Sequence, residues 1–188
     1  MPSDAPSPRP TAAELAAARN RTIPDLVRPG LSVLFSGINP SLYSAAVGYH
    51  FARPGNRFWP TLHRSGFTAR QLDPAEQELI LDLGLGITNV VARATARAGE
   101  LSAAELLAGG ELLAAKVAVF RPRWLAVVGV TAFRVAFGER GAAVGRQERG
   151  LGATRVWVLP NPSGLNAHWN AATLAEEYGR LRAAASDP

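Results

Sequence analysis

The chain has 188 residues, the size of one ordinary domain and enough to bury a full core. It holds no cysteine, which excludes disulfides, thiolate metal centres and a cysteine nucleophile, and its three histidines, His50, His63 and His168, lack metal-ligand spacing, so no metal is expected. Twenty Lys and Arg against fifteen Asp and Glu give a net charge of +5. All the basic residues but Lys116 are arginine, a balance that permits a nucleic-acid partner without demanding one.

Met1 to Pro10 carries four prolines and no large apolar residue beyond Met1, so residues 1–10 are expected to form a disordered tail and residues 11–188 a single domain. No apolar run reaches the roughly 20 residues of a membrane span, and the N-terminus lacks the charged-then-apolar order of a signal peptide. A soluble, cytoplasmic protein without membrane association is expected.

Thr11 to Arg21 reads as a short Ala-rich helix. Leu31 to Phe35 is a buried strand that enters a tight turn, Gly37-Ile38-Asn39-Pro40, and then an irregular aromatic loop. Asn56 to His63 reads as a helix ended by Ser65-Gly66. Asp73-Pro74 supplies a cap and first turn for a helix through about Asp82, since Asp accepts from free amides and Pro has none to lose. Leu85 to Val91 is the second strand, and Ser102 caps a helix through Phe120 that Gly109-Gly110 interrupts. Arg123 to Val130 is a third strand, apolar as a strand covered on both faces should be, and Thr131 to Phe137 a short helix. Gly138 to Arg155, with Arg140, Arg146, Arg149 and Arg155, reads either as a solvated loop or as a phosphate-contacting one. Arg155 to Leu159 is the last strand, and Ala171, Leu174, Ala175, Tyr178 and Leu181 form the apolar stripe of a final helix.

Four apolar strands alternating with helices indicate an α/β fold with a parallel sheet between two helical layers. Ligands of such sheets sit beyond the carboxyl ends of the strands, which is where Asn39 falls. An isolated Asn-Pro is most often a turn pair only. A second one, Asn161-Pro162, follows the last strand, and two such turns on neighbouring parallel strands would converge on one crevice. Neither Gly84 to Gly86 nor Gly138 to Gly152 completes a phosphate-binding glycine motif, so no cofactor is expected.

Four motifs in order, G-I-N-P-S at Gly37 to Ser41, G-Y-H-F-A-R-P-G-N-R-F-W at Gly48 to Trp59, G-I-T-N at Gly86 to Asn89 and N-P-S-G-L at Asn161 to Leu165, resemble the mismatch-specific uracil DNA glycosylases. That family includes bacterial mismatch uracil glycosylase and the eukaryotic thymine DNA glycosylases, and the resemblance runs from about Leu31 to Leu181. It implies a three-layer α/β/α sandwich with a central four-stranded parallel sheet in the order 2-1-3-4 and Asn39 at the topological switch point. It implies a monofunctional enzyme, acting as a monomer on double-stranded DNA containing G·U mismatches, that flips out uracil and hydrolyses its N-glycosidic bond to start base excision repair.

By the same resemblance Gly37, Ile38, Ser44, Phe51 and Asn161 bind the base. Phe51 stacks on the pyrimidine, backbone groups at Ile38 and Phe51 meet its edge, and Ser44 crowds the C5 methyl of thymine, favouring uracil. Leu165 is the wedge that fills the vacated stack, with the amides of Ser163 and Gly164 near phosphate. Asn166-Ala167-His168 departs from the bacterial pattern in lacking the arginine that contacts the opposite guanine. Asn39 is the catalytic residue: its carboxamide can orient a water but cannot take its proton. An oxocarbenium-like transition state tolerates so weak a nucleophile when the leaving group is stabilised. A carboxylate would be the rival catalytic group; Asp82 is the nearest in sequence to the second strand, although it precedes that strand. Two other functions stay open, a catalytically silent DNA-binding module and a hydrolase of free nucleosides.

Overall fold

The computed structural model describes residues 9–187, so the expected tail lies outside the described residues apart from Arg9 and Pro10. Its centre is a sheet of β1 (Val33–Gly37), β2 (Leu85–Asn89), β3 (Trp124–Val128), β4 (Gly145–Arg146) and β5 (Arg155–Leu159). The strands lie in the order β2-β1-β3-β5-β4. β2, β1, β3 and β5 are parallel and in the order the resemblance implies; the registers Val33↔Leu85, Val33↔Trp124 and Trp124↔Arg155 align their starts, so their carboxyl ends share one edge. The sheet has five strands rather than four. β4 is antiparallel to β5, pairing Gly145 with Val158 and Arg146 with Trp157, and two residues are too few to leave a periodic signal in sequence. It partly covers an edge that would otherwise present unpaired backbone groups.

Side chains alternate between the two faces, as the pleat requires. Val33, Phe35, Ile87, Trp124, Ala126, Trp157 and Leu159 face one core, closed by α3 (Phe58–Arg64), a 3-10 helix (Pro74–Leu83) and α6 (Ala171–Ser186). Leu34, Leu125, Val127, Val156 and Val158 face the other, closed by α4 (Ala103–Phe120) and α5 (Val130–Ala136). Leu174, Tyr178 and Leu181 of the final helix are fully buried, as their spacing predicts. Among the described residues no helix is long and apolar enough to cross a membrane.

Three readings of local structure change. The stretch after Pro40 contains a helix, α2 (Leu42–Val47), in place of an unbroken loop; Ser41 caps it by accepting from the Ser44 amide, and Gly48 ends it at φ 82°. With α1 (Ala12–Ala17) it flanks a small cluster of Ala18, Ile23, Ala45 and Ala94. The segment opened by Asp73-Pro74 winds as a 3-10 helix, with Asp73 accepting from the Ala75 amide. Gly109-Gly110 does not interrupt α4. A Cβ at Gly109 would stand 2.4 Å from the Val90 carbonyl oxygen and one at Gly110 would stand 2.1 Å from that of Ala136, so the pair permits close approach of backbone.

Candidate active site

The turn after β1 is laced to the segment after β2. Gly37, Ile38 and Pro40 carbonyls accept from the amides of Val90 (2.9 Å), Val91 (2.9 Å) and Thr95 (3.2 Å). Within this frame the Asn39 Nδ2 donates to the Arg93 carbonyl at 2.9 Å and to Thr95 Oγ1 at 2.8 Å. A carbonyl can only accept, and the Thr95 hydroxyl has committed its proton to the Arg97 carbonyl at 2.8 Å. Both partners therefore demand the NH₂ end of the carboxamide, and the orientation of Asn39 is forced. Its Oδ1 has no hydrogen-bond partner among the described residues, and Asn39 lines a cavity of about 330 Å³.

That cavity also takes in Gly37, Ile38, Ser44, His50, Phe51, Asn89, Asn161, Ser163 and Leu165, so the two Asn-Pro turns share one crevice. Among the described residues no carboxylate lines it. Asp82 is not brought to the site. It precedes β2, at the opposite end of a strand that spans about 13 Å, and its side chain is 83% exposed and paired with Arg28 at 3.4 Å. The reason is topological, since a residue before a parallel strand lies at the amino edge of the sheet.

The wall facing Asn39 is the loop from Gly48 to Asn56. The His50 amide donates to Gln77 Oε1 at 2.8 Å, the His50 carbonyl accepts from Trp59 Nε1 at 3.0 Å, and the Ala52 amide donates to the buried Ser44 hydroxyl at 3.0 Å. These bonds bracket Phe51 and hold it at φ 53°, a left-handed conformation costing roughly 1–2 kcal/mol for a residue with a side chain. Its ring stacks on Phe58 with centroids 4.0 Å apart and planes 18° apart. The ring is thus anchored to the core on one face while still contributing to the cavity. A Cβ at Gly37 would lie 2.5 Å from Asn89 Oδ1 and 3.2 Å from Phe51 Cζ, so glycine there keeps the cavity open. The amides of Ile38 and Phe51 make no hydrogen bond among the described residues and remain as donors.

His50 and Asn89 were not among the residues singled out from sequence, although both stand inside quoted motifs. His50 Nε2 lies 2.9 Å from the Pro24 carbonyl and so carries the proton, which makes Nδ1 the acceptor facing Asn89 Nδ2 at 3.5 Å. Burial holds His50 below its ordinary pKa of 6.5, against the smaller opposing pull of the Pro24 carbonyl and Asp25. Burial thus favours the neutral ring, and Asn89 Oδ1 is turned toward Gly37.

The third wall is the loop after β5. Asn161 Oδ1 accepts from the Ser163 amide at 2.9 Å, Ser163 Oγ from the Leu165 amide at 3.3 Å and the Ser163 carbonyl from the Asn166 amide at 3.0 Å. The Ser163 amide is therefore engaged inside the loop, and the Gly164 amide is the one without a partner among the described residues. Leu165 stands 82% exposed at the rim. Arg53 and Arg97, both exposed, complete the mouth. The Arg-rich segment does not reach it: Arg149 pairs with Glu139 at 3.2 Å, and Arg146 and Arg155 lie over the Trp124 ring at 5.7 and 4.6 Å.

A family model, the uracil DNA glycosylase superfamily, matches residues 24–182. A solution structure of a Methanosarcina acetivorans protein, itself assigned only provisionally as a uracil DNA glycosylase, superposes with a TM-score of 0.57 at 17% identity, covering 87% of this chain and 98% of that one. At that identity the likeness is one of fold.

Proposed function

The chain belongs to the uracil DNA glycosylase superfamily, a membership that suggests hydrolytic release of uracil from DNA, and from that premise we propose the mismatch-specific, monofunctional form of this activity. On this reading the described residues form one glycosylase domain that works as a monomer on duplex DNA containing G·U. Extruding a base costs a few kcal/mol of stacking and pairing, and a mismatch lowers that cost. The flipped uracil lies against Phe51, with its edge met by the amides of Ile38 and Phe51 and by the Asn89 carboxamide. Asn161 acts from behind, holding the loop turn through the Ser163 amide. The Gly164 amide meets a phosphate and Leu165 enters the vacated stack.

The C1′–N1 bond breaks with its electron pair going to N1 of uracil, whose developing charge the amide donors stabilise. Water held by Asn39 Oδ1 adds to C1′, and its proton is lost to solvent or to the departing uracil. The products are free uracil and an abasic site, the starting point of base excision repair. The observation that carries this reading is the forced carboxamide of Asn39, whose oxygen is left without a partner on a residue that lines a cavity with no carboxylate among the described residues. It suits an oxocarbenium-like path that needs a positioned water more than a general base.

Abasic-site formation on a G·U duplex under single-turnover conditions tests it. Asn39→Ala is expected to lose about 10²-fold or more in rate, the scale of lost positioning, with duplex affinity little changed. Full activity in Asn39→Ala would sink the mechanism. Duplex binding without any abasic product from the wild type would leave a silent DNA-binding module instead, and strong competition by free uridine a nucleoside hydrolase.

A further inference from the structure

The Leu165 loop is gathered onto one side chain. Arg57, the residue before α3, donates from Nε to the Pro162 carbonyl (3.4 Å), from one terminal nitrogen to the Trp169 carbonyl (2.5 Å), and from the other to the carbonyls of Ser163 (2.6 Å) and Asn166 (3.1 Å). Its own amide donates to the Pro162 carbonyl at 2.9 Å. Four carbonyls spread over residues 162 to 169 thus converge on one guanidinium, and no carboxylate is among its partners within the described residues. Arginine is ordinarily matched to an anion. Here its planar fork is used for geometry, because five N–H groups at fixed angles can gather separate carbonyls into one turn.

A second contact locks the same junction. A Cβ at Gly164 would stand 2.6 Å from the Gly55 carbonyl oxygen, so the Leu165 loop and the Phe51 loop meet backbone to backbone. Arg57 follows Phe51 by six residues, and α3 is secured independently of the guanidinium by the buried side chains of Phe58, Trp59 and Leu62.

We propose that Arg57 is a positioning residue for base flipping: it fixes the Leu165 loop against the start of α3, so that wedge and stacking ring are set at one spacing before DNA arrives. This rests on the glycosylase reading above and adds the means by which the wedge is preorganised. An exposed leucine on a free loop would have to be ordered during binding, and that cost would fall on the extruded state. Lysine keeps the charge but concentrates its donors on one atom, which cannot span the four carbonyls.

The test is single-turnover uracil release by Arg57→Lys from a G·U duplex and from a single strand, where no stack needs filling. Duplex cleavage is expected to fall about 10- to 100-fold, the scale of a misplaced group, and single-strand cleavage by less than about threefold. Fluorescence of 2-aminopurine beside the uracil should rise less than with the wild type. In a Leu165→Ala background Arg57→Lys should add almost no further loss, because residues acting through one another are not additive. Equal losses on both substrates, or full additivity with Leu165→Ala, would overturn the proposal while leaving the glycosylase reading intact. If Arg57→Lys does not fold, Arg57→Gln, whose planar head has too few N–H groups for the four carbonyls, carries the same expected split, and undiminished duplex cleavage by it overturns the proposal. Absence of uracil release by the wild type on either substrate would instead remove the glycosylase reading itself.

Discussion

At the scale of single residues, Ser44 holds two roles that substitution pulls apart. Its hydroxyl accepts from the Ala52 amide at 3.0 Å and from Ser41 Oγ at 3.1 Å, so it ties α2 to the Phe51 loop as well as lining the cavity. Ser44→Ala leaves the Ala52 amide unpaired, a loss of about 1–3 kcal/mol that should slow cleavage of every base. If Ser44 crowds the C5 methyl of thymine, the ratio of G·T to G·U cleavage should nevertheless rise; an unchanged ratio removes Ser44 from the pocket. His50 sets a pH dependence. Its folded pKa lies below the ordinary 6.5, so the unfolded chain takes the proton first as pH falls. Stability is level above 6.5 and declines below it until the folded pKa is passed. Glu76 and Glu105, both held at about 2 by arginine partners, lose their contribution as pH falls from 4.5 to 2. Thermal unfolding against pH should show both declines, and His50→Gln should abolish only the upper one. The two Asn-Pro turns were legible in sequence because a polar residue just beyond an apolar run is local information. Arg57, His50 and Asn89 were not, because their roles rest on partners 26 to 112 residues away.

At the scale of elements, the glycine pair in α4 gives the sharpest expectation. Gly→Ala inside a helix normally stabilises by up to about 1 kcal/mol. Gly110→Ala should do the opposite by roughly 1–3 kcal/mol, since a Cβ 2.1 Å from the Ala136 carbonyl must push α5 away. Gly179→Ala in α6, with nothing within 4 Å of the added carbon, should follow the ordinary rule. Urea midpoints of the two variants read the difference in sign directly. The same pair shows where pattern reading stops. Two adjacent glycines look like a helix break when only the chain is seen, and become a contact surface once Val90 and Ala136 lie beneath them. The parallel strands were legible for the reverse reason, since continuous apolar runs announce burial on both faces whatever the neighbours are. α2 was missed because six residues beginning Leu-Tyr-Ser give too short a period to separate from the aromatic loop around it.

At the scale of the whole molecule, the net charge of +5 is a poor guide to where DNA lies. Much of the arginine is committed: Arg93 to Glu105, Arg70 to Glu76, Arg149 to Glu139, and Arg155 to the Trp124 face. Arg53 and Arg97 are the exposed arginines on the cavity lining among the described residues, one in the Phe51 loop and the other in the segment after β2. If they hold the phosphates around the flipped nucleotide, duplex affinity should fall steeply with salt, and Arg53→Gln or Arg97→Gln should each lower the slope of log K against log salt by about one. Arg149→Gln, on the remote segment, should leave the slope unchanged. Equal slopes for all three variants would place the DNA on another face.

The prolines that follow Asn39 and Asn161 have a consequence for the lifetime of the protein. Asparagine ages chiefly when the backbone nitrogen of the next residue attacks its carboxamide carbon, closing an imide that reopens as aspartate or isoaspartate. Proline has no N–H to lose and cannot supply that nitrogen. A carboxylate at position 39 would set a negative oxygen against the Arg93 carbonyl and the Thr95 lone pairs that now receive the NH₂ group. The residue following each asparagine therefore closes the main route to spontaneous deamidation at both turns, leaving their carboxamides to last as long as the chain does.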